Sequence, residues 1–124
     1  MAEHVPHVIK TPPVTMTCTT SAITGGQLVE TVGNMTVKPA TANSVKCVGV
    51  AARDANVGDQ LPVYFDGVHD LTASGAIAAG DLIKCGAAGV AITEDAAAVG
   101  RTIGRALEAI ADTAKGRIVL GVTV

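Results

Sequence analysis

The side chains that could carry out chemistry are few and lie far apart along the chain. His69 lies in the segment Tyr64–Asp70, where the acids at 66 and 70 could tune it as a general base. No serine or cysteine nucleophile has a recognisable motif around it, and Asp66-Gly67 between two strand-like runs predicts a β-hairpin. His4 and His7 could share a metal ion on a helix, but Pro6 between them indicates extended chain. We therefore predict no catalytic and no metal-binding residue.

The cysteine and glycine patterns also give no cofactor site. Cys18, Cys47 and Cys85 are odd in number and widely spaced, with no C-x-x-C pair, so they are interpreted as small buried apolar residues. Gly25-Gly26 and the segment Gly86–Gly89 match neither the P-loop nor the dinucleotide-binding pattern. The sequence predicts no bound cofactor.

Composition narrows the possible partners. The 124 residues carry 9 basic and 11 acidic side chains, a formal charge of −2, and 48% are hydrophobic, which predicts a single folded domain. Only 2% are aromatic, so the core must consist of valine, isoleucine, leucine and alanine. Scattered basic residues without aromatic neighbours argue against nucleic-acid binding. No apolar run is long enough for a membrane helix, and no secretory signal is recognisable, so we expect synthesis in the cytoplasm.

The first twenty residues differ from the rest in composition and periodicity. Residues 1–20 contain three prolines and two histidines and follow neither helical nor strict strand periodicity. Proline fixes φ and disfavours helix in the residue before it, so this part is predicted to be an extended N-terminal arm that becomes ordered along another surface. Residues 21–124 are predicted to form the domain itself.

An internal repeat is the most informative feature of the domain. Ser21–Val29 matches Gly75–Ile83 at a spacing of 54 residues, and Val48–Ala51 matches Ile103–Ala106 at a spacing of 55. Matches that recur in the same order indicate a duplication. We predict two β-rich halves, at about 21–70 and 71–124.

Short runs of valine, isoleucine, threonine and alanine between turn residues predict many short strands. The fold class is therefore mainly β, a small β-barrel or β-sandwich-like domain built from two halves. Residues 105–115 have helix-like composition, but their poorly helical counterpart 50–58 favours strand, turn and strand. One short helix is predicted at 93–100, where Thr93 could be the N-cap, two acidic residues follow at the positive end of the helix dipole, and Gly100 ends the helix. Residues predicted to shape turns are Gly26, Gly58, Asp59, Gly67, Gly80, Asp81 and Gly116.

The order of three segments resembles a known family, the small capsid decoration or cement proteins of tailed bacteriophages. These segments are Ile77–Ile83, Val99–Ala109 and Gly116–Leu120, and Phe65–Leu71 precedes them. The resemblance covers about residues 21–124, whereas the arm matches no pattern of the family.

The resemblance implies a non-catalytic virion protein that forms trimers on the outer capsid surface, after assembly in the host cytoplasm. Such a trimer would lie at local threefold positions, contact the major capsid protein and stabilise the expanded, DNA-filled head. The arm could add a strand to the capsid protein or to a neighbouring subunit. The candidate arm contacts are Val5, Pro6, Val8, Ile9, Pro12, Pro13 and Val14.

Two other functions are compatible with the residues. A duplicated β module could bind a carbohydrate or another surface ligand, although sugar sites usually need aromatic platforms. A small subunit of an enzyme is the other alternative, and a neighbouring gene for a catalytic chain would favour it.

Overall fold

The computed structural model describes residues 13–94 and 102–120, which contain ten strands and one short 3₁₀ helix. The strands are β1 Val14–Cys18, β2 Leu28–Gly33, β3 Thr36–Pro39, β4 Cys47–Ala51, β5 Gln60–Tyr64, β6 Gly67–Thr72, β7 Leu82–Cys85, β8 Ala91–Thr93, β9 Thr102–Ala106 and β10 Lys115–Leu120. The 3₁₀ helix, Ala87–Gly89, lies between β7 and β8.

The strands form two five-stranded sheets, one from each half of the chain. The first is a closed barrel in the order β1-β3-β2-β4-β5, and the second has the order β6-β10-β9-β7-β8. All strand pairs are antiparallel except β1 with β3. The predicted mainly β class is confirmed, and the first sheet is a barrel.

The strand register shows that the two sheets are copies of one unit. The pair Val29 and Pro39 of β2 and β3 recurs as Ile83 and Thr93 of β7 and β8. The register of β2 against β4 shifts after Val29, and that of β7 against β9 shifts after Ile83. Because this irregularity also recurs at equivalent positions, the duplication includes the bulge as well as the strand register.

The equivalence begins earlier in the chain than the sequence predicts. Met16 of β1 pairs with Leu61, as Leu71 of β6 pairs with Gly116. A parallel bridge from Ala73 to Ala91 matches the parallel contact between β1 and β3. We therefore define the first unit as residues 14–64 and the second unit as residues 67–120.

The last part of the predicted arm is consequently a strand of the barrel. In Val14–Cys18, Met16 and Cys18 are buried while Thr15 is exposed, which is strand alternation with one side chain in the core every second residue. Only five residues show this alternation, directly after a proline-rich stretch, and for this reason the sequence pattern did not separate them from the arm.

The core consists of small aliphatic side chains, as the composition predicts. One cluster fills the first barrel, around Val29, Leu61 and Val63. The other fills the second unit and includes Leu28, Ala40 and Val50 of the first, so it also joins the two units. At about 25 cal/mol per Å² of buried apolar surface, this shared cluster makes each unit stabilise the other.

The predicted Asp66-Gly67 hairpin is wrong. β5 pairs with β1 and β4, whereas β6 pairs with β10, so the two strands lie in different sheets. Gly67 has a φ of 99°, which a glycine adopts easily, and it redirects the chain from one unit to the next. The chain does turn at Gly67, as the sequence predicts. The strands on either side of this turn pair within their own repeats and not with each other.

The region with helix-like composition folds as the repeat predicts. β9 ends at Ala106 and β10 starts at Lys115, with an antiparallel bridge from Ile77 to Ile110 between them. Of the helix predicted at 93–100, Thr93 is the last residue of β8, and residues 95–100 lie outside the described residues.

Most of the predicted turn residues do shape turns. Gly26 and Gly80 have φ values of 91° and 90° at equivalent positions, and Gly58 has a φ of 95°. The Asp59 carboxylate accepts a hydrogen bond from the Asn56 amide at 3.0 Å, and that of Asp81 from the Ala78 amide at 2.9 Å. Gly116 is the exception, because it lies inside β10 and provides space for the Ile110 side chain.

Candidate functional site

His69, the only histidine in the described residues, lies in β6 of the second sheet, on the same face of the strand as the buried Leu71. Its side chain is fully buried, its Nε2 lies 2.8 Å from the Asp66 carbonyl oxygen, and its ring centroid is 5.4 Å from that of Tyr64. An enclosed imidazole that is tied to the backbone stabilises the connection between the units. It does not face a substrate.

The cysteines are free thiols at core positions. Cys18 and Cys85 are buried, and Cys47 is half-buried beside the cluster that joins the units. A hydrogen bond with Cys47 and burial raise the pKa of the Cys85 thiol. A raised pKa disfavours the thiolate, so Cys85 is not an activated nucleophile.

Equivalent positions of the two units carry opposite charges. Glu30 and Lys84 occupy the same place, next to the shared bulge. Glu30 lies 4.0 Å from Lys38 Nζ, and Lys84 Nζ lies 4.0 Å from Glu94. The Glu30 carboxylate also accepts hydrogen bonds from the Thr41 amide at 2.7 Å and the Thr41 hydroxyl at 2.9 Å. These buried charges have structural partners.

Glu30 makes stability depend on pH. Burial by itself raises the pKa of this carboxyl, but hydrogen bonds from Thr41 and Ser44 and the charge of Lys38 outweigh it and lower the pKa. A carboxyl with a lowered folded-state pKa stabilises the fold above its unfolded pKa of about 4.3, and this stabilisation is lost as pH falls further. In urea titrations from pH 7 to pH 3, the wild type should lose more unfolding free energy than Glu30→Gln. Parallel pH curves for the two proteins would contradict this assignment.

Two surface depressions contain polar side chains that hydrogen-bond to the backbone. One, of about 380 Å³, includes Asp54 and Asp59. Asp54 accepts a hydrogen bond from the Gly25 amide at 2.8 Å, and Asp59 accepts one from Asn56. Another, of about 310 Å³, lies between the units and includes Gln27 and Lys115. The Gln27 amide donates to the Ala88 carbonyl oxygen at 2.8 Å, so it fixes the unit contact.

Within residues 13–94 and 102–120, no group of three or more histidine, cysteine, aspartate or glutamate side chains could hold a metal ion. In the same part of the chain, no helix has the length and apolarity that crossing a membrane requires.

Two of the seven predicted arm contacts lie in the described residues, at the start of the first barrel. Pro13 is exposed, and Val14 is half-buried in β1 opposite Val63. Val14 is thus part of the fold rather than a segment available for binding. The other five candidates, Val5, Pro6, Val8, Ile9 and Pro12, lie outside the described residues.

Four exposed apolar side chains gather at the barrel end where the arm enters. β1 begins there, and β5 ends there, since Val14 pairs with Val63. The β2–β3 turn reaches the same end, because the Thr17 amide donates to the Met35 carbonyl oxygen at 2.9 Å. β4 also begins there, next to Thr31, whose amide donates to the Lys46 carbonyl oxygen. The four side chains, here called the apolar end, are Val32 (50% exposed), Met35 (55%), Val45 (64%) and Phe65 (40%).

The corresponding end of the second unit is covered by protein. Leu120, which is equivalent to Phe65, is buried. Gly89, which is equivalent to Met35, donates its amide to the Ala40 carbonyl oxygen at 2.9 Å in the first unit. Periodicity does not indicate the apolar end, because Val32 lies near the end of a strand and the other three residues lie singly in connections between strands. Aligning Val32 and Met35 with Gly86 and Gly89 of the second repeat would have indicated it.

A duplicated β-sheet unit with structurally engaged acids, a buried histidine and an uncovered apolar end has the features of a protein that assembles with other proteins. Comparison with known families agrees. The phage cement protein family matches residues 9–122, so the chain belongs to this family of structural proteins of the phage particle. This confirms the resemblance stated from the sequence and extends it into the arm.

A solved structure has the same fold. The head fiber gp8.5 N base of bacteriophage phi29 superposes with a TM-score of 0.70 at 22% sequence identity, over 87% of this chain and 92% of that one. At this identity the similarity concerns the fold. No curated protein sequence matches the chain.

Proposed function

We propose that this cement protein binds the outer surface of a phage capsid as a homotrimer, at local threefold positions, and stabilises the expanded, DNA-filled head. The match to the phage cement protein family over residues 9–122 carries this proposal. The described side chains support the proposal, since Glu30, Asp54 and Asp59 bind structural partners and His69, Cys18 and Cys85 are buried. The major capsid protein is the proposed receptor, and assembly takes place in the host cytoplasm.

The N-terminal arm is proposed to be the anchor, now with a shorter boundary. An extended segment before Val14 can add to an open strand edge of the capsid protein or of a neighbouring subunit. β1 cannot take part in this exchange without opening the barrel, because it pairs along four residues with β5. Three arms on one trimer would make weak single contacts sufficient.

The decisive experiment compares the full chain with a variant that lacks residues 2–12, which leaves β1 intact. Both proteins are co-sedimented with expanded, undecorated heads, and their folding is compared by circular dichroism and thermal melting. We expect saturable binding of the full chain and at least a tenfold weaker binding of the truncated, folded variant.

Each part of the proposal has its own contrary result. If the truncated variant binds as well as the full chain, the arm is not the anchor. If the full chain does not bind any capsid shell, the decoration role is wrong, and the carbohydrate or surface-ligand alternative gains support.

A further inference from the structure

The apolar end of the first unit is uncovered, whereas its counterpart is packed. In the second unit Gly89, which is equivalent to Met35, donates its amide to Ala40 of the first unit, and Leu120, which is equivalent to Phe65, is buried to 4% exposure. In the first unit Met35 is 55% and Phe65 40% exposed. An apolar cluster of this kind marks an interaction site more often than a surface in permanent contact with water. The duplication shows that a protein surface covers this end in one of its two copies.

The first unit covers the equivalent end of the second unit, but another folded copy of the protein cannot cover the apolar end in the same way. A Cβ at Gly89 would lie 2.5 Å from the Leu28 carbonyl oxygen, so the tight approach requires glycine. The first unit has Met35 at the position of Gly89. The Met35 side chain would collide with the backbone of any protein that approached as closely as Leu28 approaches Gly89. The occupant of the apolar end must therefore have another shape, and an extended segment satisfies this condition.

The residues that precede β1 join the fold at this place, because β1 begins there. Twelve residues precede the exposed Pro13, among them Val5, Val8 and Ile9. Fully extended, twelve residues span about 40 Å. The sequence Thr11-Pro12-Pro13 favours polyproline conformation, which resists a sharp reversal of the chain toward its own barrel.

We infer that the apolar end binds the N-terminal segment of a second copy of this chain, with the aliphatic residues of the segment against Val32, Met35 and Phe65. The inference rests on the proposed role of the arm and selects a neighbouring copy, rather than the capsid protein, as its receptor. Exchange of arms then links the subunits of the trimer, and the linked trimer binds the capsid.

Two complementary variants test the exchange. The first lacks residues 2–12 and keeps the apolar end; the second carries Val32→Ser, Met35→Ser and Phe65→Ser and keeps the arm. Molar mass is measured by sedimentation velocity. We expect the full chain to associate, each variant alone to fall at least twofold in mass, and the mixture of the two to associate again, because each supplies the part that the other lacks. The matched control, Val57→Ser with Leu107→Ser, changes equally exposed apolar residues elsewhere and should keep the mass of the full chain.

A labelled peptide of residues 1–12 provides the second readout. It should bind the truncated protein saturably, and it should bind at least tenfold more weakly when the three serine substitutions are added. A full chain that stays monomeric at all concentrations overturns the exchange, and peptide binding in that case places the segment on its own barrel. Unchanged mass of both variants also overturns it. Binding to heads, measured on the same samples, reports separately on the proposed function.

Discussion

Replacing Gly104 by alanine is expected to destabilise the protein by about 3 kcal/mol or more, and Gly49→Ala should do the same. A Cβ at Gly104 would lie 2.2 Å from the Val119 carbonyl oxygen, and one at Gly49 would lie 2.0 Å from that of Tyr64. Both carbonyl groups belong to the neighbouring strand, so the clash can be relieved only by separating the strands. Thermal melting should show a fall in Tm of roughly 10 °C or more for each variant.

Gly33→Ala is the matched control for this prediction. Gly33 also lies in a strand, but its added Cβ would meet only the flexible Thr36 hydroxyl, at 3.3 Å. We expect a change in unfolding free energy below about 1 kcal/mol. If Gly49→Ala and Gly104→Ala melt like Gly33→Ala, the close approach of strands at the two equivalent glycines is wrong.

The second prediction concerns a size exchange between the cores of the two units. The core cluster of the first unit contains Leu61 and the small Ala55, and the equivalent residues of the second unit are Gly116 and the large Ile110, which contact each other. A Cβ at Gly116 would lie 2.3 Å from Ile110 Cγ1. Gly116→Leu should therefore destabilise by about 3 kcal/mol through overpacking, and Ile110→Ala by about 2 to 4 kcal/mol through a cavity.

The double variant Gly116→Leu/Ile110→Ala should recover most of this loss, because it recreates the pair used by the first unit. Urea unfolding of the four proteins gives the coupling free energy, which we expect to be about 2 kcal/mol or more in favour of the double variant. Ile110→Ala combined with Gly33→Ala, a distant pair, should show additive effects. Additive losses in the Gly116/Ile110 pair would mean that the two sites do not compensate each other.

Much of the fold could be predicted because the duplication leaves matching residues at turns and strand starts. The repeat that aligns Ile23 with Ile77 predicted the two halves. It also favoured strands over a helix at 105–115, because the aligned residues 50–58 are a poor helix. The low aromatic content gave a core of aliphatic side chains. These features are local in the sequence, so pattern and composition record them directly.

The errors arose where long-range pairing decides the structure. Asp66-Gly67 has the chemistry of a hairpin turn, but the register of β5 is satisfied by β1 and β4, so the turn joins two units instead. Gly116 resembles a turn residue, but its role depends on Ile110, which packs from outside the strand. Neither fact can be seen without knowing which strands are neighbours.

The binding surface was predicted only in part, for a similar reason. Proline spacing indicated an extended arm, but the boundary at Val14 is set by the pairing of β1 with β5. The apolar end joins Val32 near the end of β2 with three residues from separate connections between strands, and these parts are distant in sequence. Its significance comes from comparison with the packed end of the second unit, which requires the folded structure.

We propose that this protein decorates the capsid exterior at defined lattice positions. The most direct test is a cryo-electron microscopy reconstruction of undecorated, expanded heads after saturation with the purified protein. We expect added density on the outer surface at the local threefold positions, with three subunits at each position. Saturated heads without added density, or with density at other positions only, would contradict the claim.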